Sequence, residues 1–188
     1  SPTICTNELN EDDYTQIIKS FAQIIGNDGN FSGLLGISYS VMTVFSDLLF
    51  KKYNNIPFLF AYGKTQSGKT AYLRLIMNIF GYNVEGDSTS ETTQNAITKY
   101  LENLVNIPYW LDEYSLQTRS NRLSDSHLKS IYNRSMSSKG NIFGVTAHDV
   151  KTTLILSGEV SPEHSEGVFN RCIYINFPNP DSRRERNR

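Results

Sequence analysis

Residues 63–70 read GKTQSGKT and satisfy the spacing G-x-x-x-x-G-K-[ST], with Gly63, Gly68, Lys69 and Thr70 at its fixed positions. Residue types in that order suit the cradling of a nucleotide triphosphate. Glycines let the backbone wrap closely and turn its N–H groups inward on a phosphate, and a helix starting at the end of the loop adds its positive pole. The Lys69 ammonium can reach the β- and γ-phosphates, and the Thr70 hydroxyl can sit on Mg2+. Lys64, Thr65, Gln66 and Ser67 complete the loop. The plain alternative is a glycine-containing turn with an incidental Lys-Thr pair, and the flanking elements decide between the two.

A second cluster of chemistry lies in NIPYWLDEY, residues 106–114, an apolar run that ends in Asp112 and Glu113. Two acids at the C-terminal end of a buried strand stand where ligands bind in open α/β sheets. Asp112 can hold the Mg2+ through its water shell, and Glu113 can orient and deprotonate an attacking water. An activated water favours hydrolysis over transfer of a phosphoryl group to a metabolite. The alternative is a strand that merely ends in two surface acids. A third position is Ser157 in TTLILSGE, residues 152–159. A strand lying between the two motif strands brings Ser157 beside the γ-phosphate, although Ser-Gly is also a common turn. Arg171, in GVFNRCIYINF, precedes the last strand, and in a ring of subunits it can reach a neighbour's nucleotide as an arginine finger. Arg134, in IYNRSMSSKG, is the competing candidate.

The elements that must position these groups are legible in outline. IPFLFAY, residues 56–62, is too short for a helix and apolar throughout, as a strand buried on both faces should be. After the loop, Leu73, Ile76, Met77 and Phe80 fall at helical spacing, and Gly81 is placed to end that helix. Helices are expected over 11–25, 34–53, 69–80, 91–104 and 121–134, and strands over 56–62, 82–86, 107–112, 152–157 and 172–177, with an irregular or hairpin segment over 135–150. Alternating strands and helices predict an α/β fold, a parallel sheet with helices on both faces, and the G-x-x-x-x-G-K-[ST] loop between strand and helix makes it of P-loop NTPase type. The expected organisation is a small helical segment over 1–54, the core over 55–178 and a basic tail over 179–188.

Composition excludes other classes. With 188 residues, 38% hydrophobic and 20% charged, the chain reads as globular and long enough to bury a real core. No apolar stretch approaches the roughly 20 residues of a membrane span. Cys5 and Cys172 fit no metal spacing and read as free thiols of a reducing, cytoplasmic compartment, and the isolated His127, His148 and His164 predict no zinc site. The chain begins with Ser1, which reads as a piece of something longer. A formal net charge of −1 means that any grip on DNA is local or assembled from several subunits. RRERNR at the C-terminus is the one dense basic run.

The succession GKTQSGKT, NIPYWLDEY, LKSIYNRS, TTLILSGE and VFNRCIYINF, spread over residues 30–178, resembles the ATPase module of phage- and plasmid-encoded primase-helicases. These form the superfamily 3 group within the broader AAA+ class. The resemblance implies an ATP- and Mg2+-dependent ring, often a hexamer, that moves on single-stranded DNA, with a primase or polymerase domain elsewhere on the longer chain. For a phage-encoded protein it implies the host cytoplasm. It assigns the nucleotide loop to residues 63–70, the acids to Asp112 and Glu113, the sensor to Ser157 and the finger to Arg171. The sensor in that group is usually asparagine, so Ser157 is a departure. A channel-lining hairpin of the family corresponds to residues 137–151, where Lys139 would touch phosphate and Phe143 could stack on a base, or where the glycines mark a mobile surface loop with Phe143 tucked into the core. Two other readings stay open: an ATP-driven switch that remodels proteins, and a nucleotide-binding module whose ATP only cements an assembly.

Overall fold

FLFAY, residues 58–62, alternates its side chains between two apolar environments, which requires cover on both faces of the sheet. The computed structural model describes residues 10–24, 32–114, 123–135, 150–161 and 166–178. Their order is α1 (Glu11–Ile24), α2 (Ser32–Val44), α3 (Ser46–Tyr53), β1 (Phe58–Tyr62), α4 (Lys69–Ile79), β2 (Asp87–Ser88), α5 (Gln94–Asn103), β3 (Tyr109–Asp112), α6 (Asp125–Tyr132), β4 (Leu154–Gly158), α7 (Glu166–Phe169) and β5 (Cys172–Asn176). The strands form one parallel sheet in the order β2-β3-β4-β1-β5.

Phe58 and Phe60 enter a core shared with Ile97 and Leu101 of α5, Leu128 and Ile131 of α6, and Val168 of α7. Leu59 and Ala61 point the other way, onto Tyr72, Leu73, Ile76 and Met77 of α4 and Tyr39 of α2. Leu59, Phe60, Leu73 and Leu101 are each 0% exposed, and full burial of such a side chain is worth about 2 kcal/mol. Tyr39 carries its hydroxyl into this core and donates to the Leu154 carbonyl at 2.7 Å. The expected architecture, a parallel sheet covered by helices on both faces, is therefore the one found, and α2 shares its core.

Three expected elements differ. The helix expected over 34–53 is two helices, α2 and α3, bent by 79°. Asn106 makes the break: its Oδ1 accepts from the Asp47 backbone N–H at 3.2 Å and from Ser46 Oγ at 2.9 Å, so a residue far along the chain serves the start of α3. The strand expected over 82–86 falls instead at β2, where Asp87 and Ser88 pair with Leu111 and Asp112. Residues before it are held by packing, with Gly86 pressed against the Trp110 indole. The helix expected over 121–134 is found as α6, whose N-cap Ser124 accepts from the His127 N–H; α7 was not expected at all. No single helix among the described residues is long and apolar enough to cross a membrane. Lys139, Phe143 and the tail 179–188 lie outside the described residues.

Candidate nucleotide site

β1 delivers the chain to the loop at its C-terminal end. Gly63 has φ +151°, and a Cβ there would stand 2.4 Å from the Phe177 carbonyl oxygen, so the position demands glycine. Its N–H donates to the Gly158 carbonyl at 3.3 Å, tying the loop to the end of β4. Gly68 is the N-cap of α4 in the left-handed region, φ +96°, with no side-chain cap. The first N–H groups of α4 are thus without a capping side chain, the arrangement that receives an anion.

Lys69 folds back over this loop. Its Nζ donates to the carbonyls of Gly63 and, at 3.0 Å, Lys64, with Ser67 Oγ at 3.5 Å. Burial lowers the pKa of this ammonium, and the nearby carboxylates of Glu159 and Asp112 oppose that shift. Thr65 Oγ1 donates to Glu159 Oε1, a contact that sequence reasoning missed. Glu159 follows β4 directly and reaches the loop only because β4 is hydrogen-bonded to β1.

The acids arrive from β3. Asp112 Oδ1 accepts from Ser157 Oγ at 2.5 Å and from the Glu113 N–H at 2.8 Å. Among the described residues both recorded bonds fall on Oδ1, which leaves Oδ2 for a cation. Thr70 and Asp112 together offer hard oxygen donors, the set that suits Mg2+ rather than a thiophilic metal.

Glu113 has φ 58°, the left-handed region that glutamate seldom adopts. Three contacts hold it there: its N–H on Asp112, its carbonyl accepting from Thr89 Oγ1 at 2.9 Å, and its Oε2 accepting from Ser88 Oγ at 2.6 Å. Strain of this kind costs about 1 kcal/mol or more and is retained where the surroundings over-determine it. Ser88 and Thr89 belong to the edge of the sheet and carried no signal in the sequence.

Ser157 lies on β4, which separates β1 from β3 in the sheet. It is 1% exposed and accepts from Trp110 Nε1 at 2.8 Å while donating to Asp112. The loop, both acids and Ser157 are therefore gathered at the C-terminal ends of β1, β3 and β4.

No protein-family model matches this sequence, and no curated protein does. Among solved structures the chain is similar to the active helicase Cch of SCCmec type IV, with a TM-score of 0.57 and 20% identity over 96% of this chain and 34% of that one. The chain thus spans about a third of that helicase's length. It is also similar to the AAA domain of FIGL-1 in complex with ADP, with a TM-score of 0.46 and 18% identity over 96% of this chain and 67% of that one. The likeness to the helicase is one of fold: a P-loop α/β domain.

The two arginines occupy different settings. Arg134 lies against α3, its Nη1 3.2 Å from Asp47 Oδ1 and its guanidinium 4.4 Å above the Phe50 ring, with a side chain only 9% exposed. That is a structural clamp. Arg171 sits at the N-terminal end of β5, its guanidinium 5.1 Å from the Tyr132 ring centre, with Nη1 donating to the Gly167 carbonyl. Its own carbonyl accepts from the Phe58 N–H, so it lies one strand length, about 16 Å, from the phosphate loop of the same chain.

Proposed function

We propose that this chain is the ATP-hydrolysing motor of a ring-forming DNA helicase that acts in replication of a mobile element such as a phage or plasmid. The observation that carries the reading is the convergence of the glycine loop, Lys69, Asp112 and the strained Glu113 at one end of the sheet. Backbone N–H groups of the loop and α4 bind the phosphates, and Lys69 leaves its loop carbonyls for the β- and γ-oxygens. Thr70 and Asp112 would hold Mg2+, which when bound would supply charge neutralisation for the phosphates. Glu113 accepts the proton of a water whose oxygen attacks the γ-phosphorus as the bond to the ADP oxygen breaks. Arg171 of a neighbouring copy stabilises the charge that develops. Lys139 and Phe143 in the 137–151 segment contact single-stranded DNA, and six copies of one lysine make a basic channel from subunits that are each slightly acidic.

The test is ATP hydrolysis by the chain with and without single-stranded DNA, across protein concentrations that span assembly, with Lys69→Ala as control. Turnover that rises with DNA and with concentration, and loses its DNA response in Lys139→Ala, supports the motor. Turnover indifferent to DNA identifies a protein-remodelling switch instead. ATP-dependent assembly that survives Glu113→Gln, with no hydrolysis in either chain, identifies a module that only binds nucleotide.

A further inference from the structure

β3 carries Trp110 and Asp112 two residues apart, so both face the same side of the sheet, the side covered by α4. Trp110 pairs in register with Ile155, and Ser157 is the next residue of β4 on that same face. Period and register thus bring an indole, a hydroxyl and a carboxylate into one line. The polarity of that line is unambiguous. Indole Nε1 is a donor only, and a serine hydroxyl has one proton and two lone pairs. With Trp110 Nε1 donating to Ser157 Oγ at 2.8 Å, the hydroxyl proton goes to Asp112 Oδ1 at 2.5 Å. Trp110 and Ser157 are 2% and 1% exposed, so water does not compete for either bond. The indole has little room to turn, because a Cβ on Gly86 would stand 2.6 Å from its Cε2 and 2.7 Å from its Nε1.

We propose that Trp110 and Ser157 are a positioning pair for Asp112, fixing its Oδ1 so that Oδ2 remains for the metal that accompanies the nucleotide. The inference rests on the nucleotide-site reading above. It gives Ser157 a task different from the direct reporting of γ-phosphate expected from its place in the chain: its one proton is already committed. It also accounts for serine at this position, since a hydroxyl can accept from the indole and donate to the carboxylate through a single atom. Hydrogen bonds to groups that ligate a metal typically change its affinity about 10- to 100-fold when removed.

The experiment measures ATP affinity of the 188-residue chain with and without Mg2+, in wild type, Ser157→Ala, Ser157→Thr, Trp110→Phe and the Ser157→Ala/Trp110→Phe double variant. The expected result is metal-free affinity unchanged throughout, and a Mg2+ requirement raised about tenfold or more in Ser157→Ala. Ser157→Thr, which keeps a hydroxyl, should retain the wild-type requirement. Trp110→Phe should raise it as well, and the double variant should be no worse than Ser157→Ala, because the indole acts only through the serine. Equal loss of metal-free and Mg2+-dependent affinity, additive losses in the double variant, or an unchanged Mg2+ requirement in Ser157→Ala overturns the pair. A wild-type chain that binds no ATP at all overturns the nucleotide-site reading, and the pair with it.

Discussion

Ser88 Oγ donates to Glu113 Oε2 at 2.6 Å, a bond from the edge strand β2 to the residue that follows β3. The two residues are neighbours because β2 pairs with β3 through Ser88 and Asp112. With Thr89 holding the Glu113 carbonyl, the edge of the sheet keeps glutamate in a left-handed conformation that its own side chain disfavours.

Glu113 should therefore separate activity from stability. Glu113→Gln is expected to lower ATP hydrolysis by about two to four orders of magnitude while ATP binding persists, as loss of a general base requires. Glu113→Gly is expected to be equally inactive yet at least as stable as Glu113→Ala, because glycine accepts φ 58° without strain. Thermal melts of the two variants check the second statement, and a glycine variant clearly less stable than the alanine one refutes it.

Gly63→Ala is expected to destabilise the fold by about 1–3 kcal/mol, the usual cost of overpacking. The added methyl would stand 2.4 Å from the Phe177 carbonyl oxygen, at a positive φ that alanine seldom takes. At Gly68 nothing lies within 4 Å, so alanine there meets only the strain of φ +96°. Denaturant midpoints should accordingly fall further for Gly63→Ala than for Gly68→Ala.

The two arginines should fail in different ways. Arg134→Ala is expected to lower stability by about 1–3 kcal/mol, since it removes one of the two cations on Asp47, leaving Lys51, and uncovers Phe50. Lys51, through a hydrogen bond, and Arg134 hold the Asp47 carboxyl below the usual carboxylate range. The stability this provides is fully present above about pH 4, the unfolded value, and is lost as pH falls through the lower folded value. Arg171→Ala, which among the described residues loses one backbone hydrogen bond and a ring contact but no ion pair, is expected to lower stability less than Arg134→Ala and to lose hydrolysis by about three orders of magnitude. Mixing it with Lys69→Ala should restore turnover, because one variant supplies an intact loop and the other an intact finger. A mixture as inactive as its parts would remove Arg171 from that role.

Burial pushes the Cys172 thiol up to about 12. The unfolded chain releases that proton near pH 8.5, so stability should fall as pH rises from about 8.5 toward 12. In a Cys5→Ser chain, Cys172 should react with a disulfide thiol reagent at pH 8 much more slowly before denaturation than after. Equal rates would show that the folded chain leaves this sulfur open.

The sequence by itself determined the loop at 63–70, the acids at 112 and 113, and the alternation that makes a two-faced parallel sheet. Each of these is a local pattern: a fixed spacing, a short apolar run, a helical period. The apolar run TTLIL likewise marks the strand that carries Ser157. Only the tertiary structure decided what these residues touch. Ser157 meets Asp112 and Trp110 because β4 lies beside β3; Ser88 meets Glu113 because β2 is the edge. Asn106 turns α2 into α3 by accepting from the Asp47 backbone N–H 59 residues back, and Arg134 reaches back 87 residues to the Asp47 carboxylate. Such pairings depend on strand order and on which faces close over one another. No repeat of two or of 3.6 residues records that information, since periodicity names the face a side chain occupies and not the partner it finds there.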